Sequence, residues 1–154
     1  MALERTLFII KPDAVERQLI GSVLAHVEAQ GFRIVEARLV QLKREEAQVF
    51  YAEHQGKPFF NDLVQYMTSG PVVLTCLERE GAVARLREVV GATDPAEAAP
   101  GTVRNLFGQS KQMNSVHASD SPASAEREVK YFFGSTALVP EGRRSASMTS
   151  GTGR

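Results

Sequence analysis

Five side chains in this 154-residue chain are of the types and in the settings that could do chemistry together: His117, Glu128, Lys11, Arg87 and Arg104. His117 lies in Asn114-Ser115-Val116-His117-Ala118-Ser119-Asp120, among small polar residues on what reads as a short strand. An imidazole titrates near neutral pH, so it can serve as nucleophile, base or acid, or only as a hydrogen-bonded turn residue. Glu128 comes three residues after Ala125 and four before Phe132, which sets its carboxylate at the border of a helix's apolar face. The ordinary reading of that position is a side chain that snorkels to water. Lys11 ends an apolar run, Arg87 edges an apolar helical stripe, and Arg104 sits in a long aperiodic stretch. Singly, each is a solvated charge; with His117 they suggest a site for a polyanion, a phosphate chain first of all.

Other familiar chemistry is missing. Gly56-Lys57 runs into Pro58 with no glycine five residues upstream, so there is no Walker A loop. HExxH, CxxC and GxSxG do not occur. His26, His54 and His117 are spaced too widely for a zinc site. Cys76, the single cysteine, lies mid-strand in an apolar run and reads as a buried, inert thiol. With no intrachain disulfide available, a reducing, cytoplasmic compartment is the simpler expectation. Lys+Arg and Asp+Glu are 18 each, so the net charge is zero, which argues against a general binder of nucleic acid or anionic membrane. The early apolar run Leu7 to Ile10 is too short to cross a bilayer.

The elements that must position these groups follow from periodicity. Thr6 to Ile10 reads as a central strand buried on both faces, ended by Lys11-Pro12-Asp13. Ile20, Val23, Leu24 and Val27 mark an amphipathic helix closed by Gly31. Phe32 to Leu42 reads as a second strand whose alternation breaks, with Val35, Ala37 and Leu39 on one face and Val40 and Leu42 on the other, consistent with a bulge. Helical patterns follow at Glu45 to Ala52 and Phe60 to Met67, a third strand at Val72 to Leu77, and a helix through Val83 to Val90. Ala92 to Lys111 shows no period, the mark of a functional or disordered loop. Ser115 to His117 reads as a fourth strand, and Ser121-Pro122 starts a last helix that Gly134 ends. Residues 1–139 then form one domain, and 140–154, which have almost nothing to bury, form a polar tail expected to be mobile. The pattern alone leaves α/β and α+β both open.

Seven stretches, in order, resemble the nucleoside diphosphate kinase family: Thr6-Leu7-Phe8-Ile9-Ile10-Lys11-Pro12-Asp13, Phe50-Tyr51, Lys57-Pro58-Phe59-Phe60, Ser69-Gly70-Pro71-Val72-Val73, Gly91-Ala92-Thr93-Asp94-Pro95, Pro100-Gly101-Thr102-Val103-Arg104 and Asn114 to Ser121. The resemblance implies a ferredoxin-like α+β sandwich, a four-stranded antiparallel sheet with helices on one face. It implies transfer of the γ-phosphate of a nucleoside triphosphate such as ATP to a nucleoside diphosphate, with Mg²⁺, through a phosphohistidine. By position, His117 matches the nucleophile, Glu128 the carboxylate that fixes its tautomer, and Ser119 the serine supporting that carboxylate. Lys11, Arg87, Thr93 and Arg104 match the phosphate-binding set, Tyr51 a hydroxyl near the transferred group, Asn114 a ribose contact shared with Lys11, and Phe59 the ring that stacks on the base. No protein ligand to the metal is implied. Dimer-based homo-oligomers, tetramer or hexamer, are implied as well.

The chain departs from the family pattern in places. Ala118 stands where glycine is commoner after the histidine. Lys111 stands where an apolar residue often covers the far side of the base; altered base preference and an added phosphate contact are the two consequences open to it. Glu78-Arg79-Glu80-Gly81 replaces a more usual pattern at a helix start, with an effect expected on capping alone. Three readings compete: an active kinase, a silent relative kept as an interaction or regulatory subunit, and a sheet-based RNA-binding module. Loss of His117, Lys11 or Arg104 would mark the second, and none is lost. Zero net charge and the lack of paired strand aromatics count against the third.

Overall fold

The computed structural model describes residues 3–134, so the tail expected at 140–154 and the last residues of the expected domain lie outside the described residues. β1 (Leu3–Ile10) leads into α1 (Pro12–Glu16) and α2 (Ile20–Ala29). β2 (Arg33–Val40) is followed by α3 (Arg44–Phe50), a 3-10 turn at Ala52–His54 and α4 (Phe60–Met67). β3 (Val72–Glu80), α5 (Ala82–Val90), a second 3-10 turn at Pro95–Glu97, α6 (Val103–Phe107), β4 (Val116–Ala118) and α7 (Pro122–Phe133) complete the order. The sheet has four strands in the order β2-β3-β1-β4, every neighbouring pair antiparallel. That pairing settles the class as α+β, two β-α-β halves with β1 and β3 at the centre.

The apolar run of β1 is buried on both faces, as its sequence predicts. Leu7 and Ile9 pack with Phe50, Val64, Met67 and Val129 from α3, α4 and α7. Phe8 and Ile10 pack with Val23, Val27, Leu86 and Val90 from α2 and α5. Helices therefore cover both faces of the sheet, not one as the resemblance implied. The reason is the strand itself: alternate residues point to opposite faces, and both sets are apolar.

The broken alternation of β2 is a bulge between Ile34 and Glu36. It puts Val35 with Val40 and Leu42 on the α3/α4/α7 face, while Ile34 packs on the other. Leu39 is left 63 % exposed on this edge strand. Ser121 caps α7 by accepting from Ser124 N at 3.1 Å, with Pro122 behind it as expected. Two elements escape periodicity. Pro12 opens α1 instead of only ending β1, since proline suits a first helical turn. The aperiodic stretch holds α6, capped where Thr102 Oγ1 accepts from Asn105 N at 3.3 Å. Five residues are too few to show a helical period. The fourth strand is one residue later than expected, Val116–Ala118, because Ser115 bends away at φ 79°.

The Glu78 segment does more than cap a helix, which corrects the sequence expectation. Glu78 on β3 lies opposite both Arg5 on β1 and Arg33 on β2. It accepts from Arg5 Nε at 2.9 Å and from Arg33 Nη2 at 2.9 Å, tying three strands together. The helix start is served from elsewhere: Val83 N donates to Glu4 Oε1 at 2.8 Å. Burial alone would raise the Glu78 carboxyl, but the two guanidiniums outweigh it and hold it below its ordinary value. A lowered carboxyl stabilises the fold above the unfolded value and loses that contribution as pH falls through the folded one. Glu78→Ala should cost about 3–5 kcal/mol, since it strips the carboxylate from a buried guanidinium. Arg33→Ala, at a half-exposed partner, should cost no more than about 1 kcal/mol. Urea unfolding of both variants at neutral pH checks this, and equal losses would contradict the assignment.

Candidate active site

A cavity of about 790 Å³ opens where β4, α5, α7, the loop after α5 and the segment between α3 and α4 converge. Lys11, Tyr51, Phe59, Arg87, Thr93, Arg104, Asn114, His117 and Glu128 all line it. Of the residues singled out from sequence, Ser119 alone does not; it stands behind Glu128. Residues more than a hundred positions apart in the chain are thus gathered around one space.

His117 is held by β4, whose partner β1 is buried from Arg5 to Ile10: His117 lies opposite Ile9. Its Nε2 is 3.0 Å from Glu128 Oε1. Ser119 Oγ donates to the same oxygen at 2.7 Å. Glu128 is only 6 % exposed, on the second turn of α7. An ionised carboxylate accepts and never donates, so it takes the proton on Nε2 and leaves Nδ1 with its lone pair. The imidazole stands T-shaped to the Phe50 ring, with centroids 5.2 Å apart. The side chain keeps enough exposure to be reached from the cavity.

The cations are anchored by backbone and amide groups instead of by carboxylates. Lys11 Nζ donates to Asn114 Oδ1 at 2.9 Å, and Asn114 Nδ2 donates to Thr93 O at 3.0 Å. Arg104 donates to Gly91 O and to Val116 O, each at 3.0 Å. Arg87 reaches Ala118 O at 3.4 Å. Burial first, and then the charge of Arg104, bring Lys11 down to about 8; Asp13 partly opposes this. Burial and then Arg87 bring Arg104 down to about 10. Arg104 Nε is buried with no hydrogen-bond partner. Cations that depress one another in a dry setting are a site made for an anion.

Gly91 shows why the loop after α5 has its sequence. Its φ is +91°, and a Cβ there would come within 2.5 Å of Thr102 Oγ1. Only glycine lets the chain turn there while its carbonyl reaches Arg104. Tyr51 is buried edge-on to Phe50, with centroids 4.7 Å apart. Burial, and next the charge of Glu128, push its hydroxyl above the ordinary range, so it stays a neutral donor. Phe59 is 48 % exposed at the start of α4 and lines the cavity, with Lys57 Nζ over its ring at 5.9 Å from the centroid. Ala118 is buried in the cluster that holds Phe8, its partner across the β1–β4 ladder.

Among the residues that line the cavity without a role assigned from the sequence are His54, Asp62 and Asp120. In the sequence His54 stands out only as one of three widely spaced histidines. It lies 5.3 Å from Phe59 by ring centroids, and its Nδ1 is buried without a hydrogen-bond partner. Its place between Tyr51 and Phe59 was the available signal. The Asp120 carboxyl is held below its ordinary value by a hydrogen bond from Ser124, against some desolvation, with help from Arg87. Lys111 lines the cavity too.

The family model described as nucleoside diphosphate kinase matches residues 4–138. A nucleoside diphosphate kinase from Sorangium cellulosum (strain So ce56) is 51 % identical over 140 residues, covering 91 % of this chain and 97 % of that protein. One from Halorhodospira halophila (strain DSM 244 / SL1) is 56 % identical over 133 residues, covering 86 % and 94 %. The structure of a halophilic nucleoside diphosphate kinase from Halobacterium salinarum in complex with CDP superposes with a TM-score of 0.85 at 40 % identity, covering 95 % of this chain and 97 % of that one. With the family model spanning most of the chain and relatives this similar, the chain belongs to the nucleoside diphosphate kinase family.

Proposed function

We propose that this chain is a working nucleoside diphosphate kinase that carries the phosphoryl group on His117. The observation that carries the reading is the His117–Glu128–Ser119 chain set beneath Lys11, Arg87 and Arg104 in a single cavity. In the first half-reaction, the lone pair of Nδ1 attacks the γ-phosphorus of a nucleoside triphosphate. The bond from that phosphorus to the bridging oxygen breaks, and the nucleoside diphosphate leaves with the electron pair. Glu128 keeps the proton on Nε2 and stabilises the positive charge that builds on the ring. The second half-reaction runs the same displacement backward with a different diphosphate. Charge spread over the phosphoryl and leaving oxygens meets Arg87, Arg104, Lys11 and the Tyr51 hydroxyl.

Phe59 serves as the stacking face for the base, and any base has a π face to offer. The CDP complex of the halobacterial relative supports a nucleotide as the occupant. Among the described residues no cluster of three His, Cys, Asp or Glu side chains could hold a metal ion. Mg²⁺ would be held mainly by phosphate oxygens and water and would arrive with the nucleotide. When bound it would neutralise part of the phosphate charge. Among the described residues no helix is long and apolar enough to cross a membrane. A cytoplasmic setting is proposed on the single cysteine, which is buried. The homo-oligomer implied by the resemblance fits the edge position of β2 and the exposure of Leu39 upon it.

His117→Ala should take no label from γ-labelled ATP with Mg²⁺, whereas the parent chain should hold label that acid removes and GDP or CDP discharges. Label retained by the alanine variant would remove the mechanism. Glu128→Gln should still form the phosphoenzyme, but about 10²-fold more slowly, the scale for losing one preorganised electrostatic partner. An unchanged single-turnover rate would make Glu128 a packing residue only. With Lys11 near 8 in the empty site, a bound phosphate chain should raise it again. At pH 8, ADP binding should then draw in about half a proton through Lys11. Calorimetry in buffers of different ionisation enthalpy reads this, and the uptake should vanish in Lys11→Gln.

A further inference from the structure

Asp13 is a buried acid with no part in the transfer proposed above. It is 4 % exposed on the first turn of α1, two residues after Lys11. Its Oδ1 accepts from the Tyr66 hydroxyl on the last turn of α4, and its own backbone N–H donates to the same Tyr66 oxygen at 3.1 Å. Its Oδ2 is buried with no hydrogen-bond partner. Burial first, and then the bond to Asp13, push the Tyr66 hydroxyl above its ordinary range, so it stays a neutral donor. Lys11 lines the cavity and Asp13 does not. The carboxylate therefore stands behind the wall that the lysine helps to form.

A buried carboxylate with one oxygen unmet is costly to the fold. What it supplies that a neutral side chain does not is charge that acts at a distance in a dry setting. Lys11 is the cation beside it, and its Nζ donates to the neutral Asn114 amide. Arg104 on α6, Arg87 on α5, His117 on β4, Asp120 after it, Glu128 on α7 and Tyr51 after α3 line the same cavity as Lys11. Burial and then Arg104 bring the lysine down to about 8, and Asp13 opposes them. A counter-ion inside the cavity would compete with a phosphate chain for the ammonium; one behind the wall steadies the charge and leaves the space free. We propose that Asp13, held by the Tyr66 hydroxyl, is a positioning residue for the transfer: its carboxylate backs Lys11 and keeps the ammonium charged toward the phosphate chain without meeting the chain itself. This rests on the phosphate-site reading of Lys11 given above.

The test follows the Lys11 ammonium by NMR in a chain labelled with ¹³C-lysine, the resonance being assigned from Lys11→Gln, with no nucleotide present. In the parent chain the titration midpoint should lie near 8. A nearby anion favours the charged ammonium, so Asp13→Asn should lower that midpoint by about one pH unit. Asp13→Asn combined with Tyr66→Phe should lower it equally. The double variant serves if the single one does not fold, since hydroxyl and carboxylate then leave together. Phosphoenzyme formation at limiting ATP should lose about fivefold more at pH 8 than at pH 6, because Lys11 stays charged at pH 6 with or without Asp13. A midpoint unmoved in both variants overturns the proposal. A loss of rate equal at the two pH values also overturns it, since Asp13 would then act through packing alone. The midpoint is read without nucleotide, so a chain that transfers nothing would fail the kinase reading and still decide this one.

Discussion

Positive charge kept out of water is the constraint that shapes this site. Lys11 and Arg104 are each less than a tenth exposed, and neither has a carboxylate as its hydrogen-bond partner. A cation so placed is costly unless its donors are met. The chain meets most of them with main-chain carbonyls at 91 and 116 and with the Asn114 amide, which neutralise no charge, and leaves Arg104 Nε unmet. The surplus is left to act on whatever anion enters. A carboxylate in the same place would have steadied the fold and cancelled the field. Much of the local architecture follows from that choice: the glycine turn at 91, the capped helix α6 that delivers Arg104, and the buried Asn114 that links Lys11 to the following loop.

The histidine is governed by a second economy of the same kind. Both the His117 ring and the Ser119 hydroxyl address one oxygen of Glu128. Two donors on one buried acceptor fix the carboxylate's rotamer as well as its charge, and so fix the plane of the ring that leans on it. β4 supplies His117 and α7 supplies Glu128, and both pack against β1. The double burial of β1 is therefore what holds nucleophile and carboxylate in register.

Much of this was legible in the sequence, for identifiable reasons. β1 announced itself as an unbroken apolar run, and α7 through Ser121-Pro122 at one end and Gly134 at the other. The break in alternation at β2 was visible, and the structure resolves it as a bulge. What escaped was short or non-local. α1 and α6 have five residues each, below the length at which periodicity speaks. The second layer of helices could not be read from any one segment, because burial of Leu7 and Ile9 is met by α3, α4 and α7 together. The site residues were marked by type and by family resemblance, but their meeting depends on antiparallel register. Glu78 shows the limit well: its partners Arg5 and Arg33 are distant in sequence and adjacent only once β3 lies between β1 and β2.

The anchoring of Arg87 and Arg104 has a consequence beyond ligand binding. β4 is a three-residue strand at the border of the sheet, paired only with β1. Ser115 O and Ser119 N face β1, so the carbonyls of Val116 and Ala118 face outward, where an edge strand offers itself to other chains. Those outward carbonyls are the ones that the two guanidiniums occupy. The arginines thus close the open border of the sheet to strand-to-strand recruitment. The chain guards itself against aggregation with the same side chains that face its cavity.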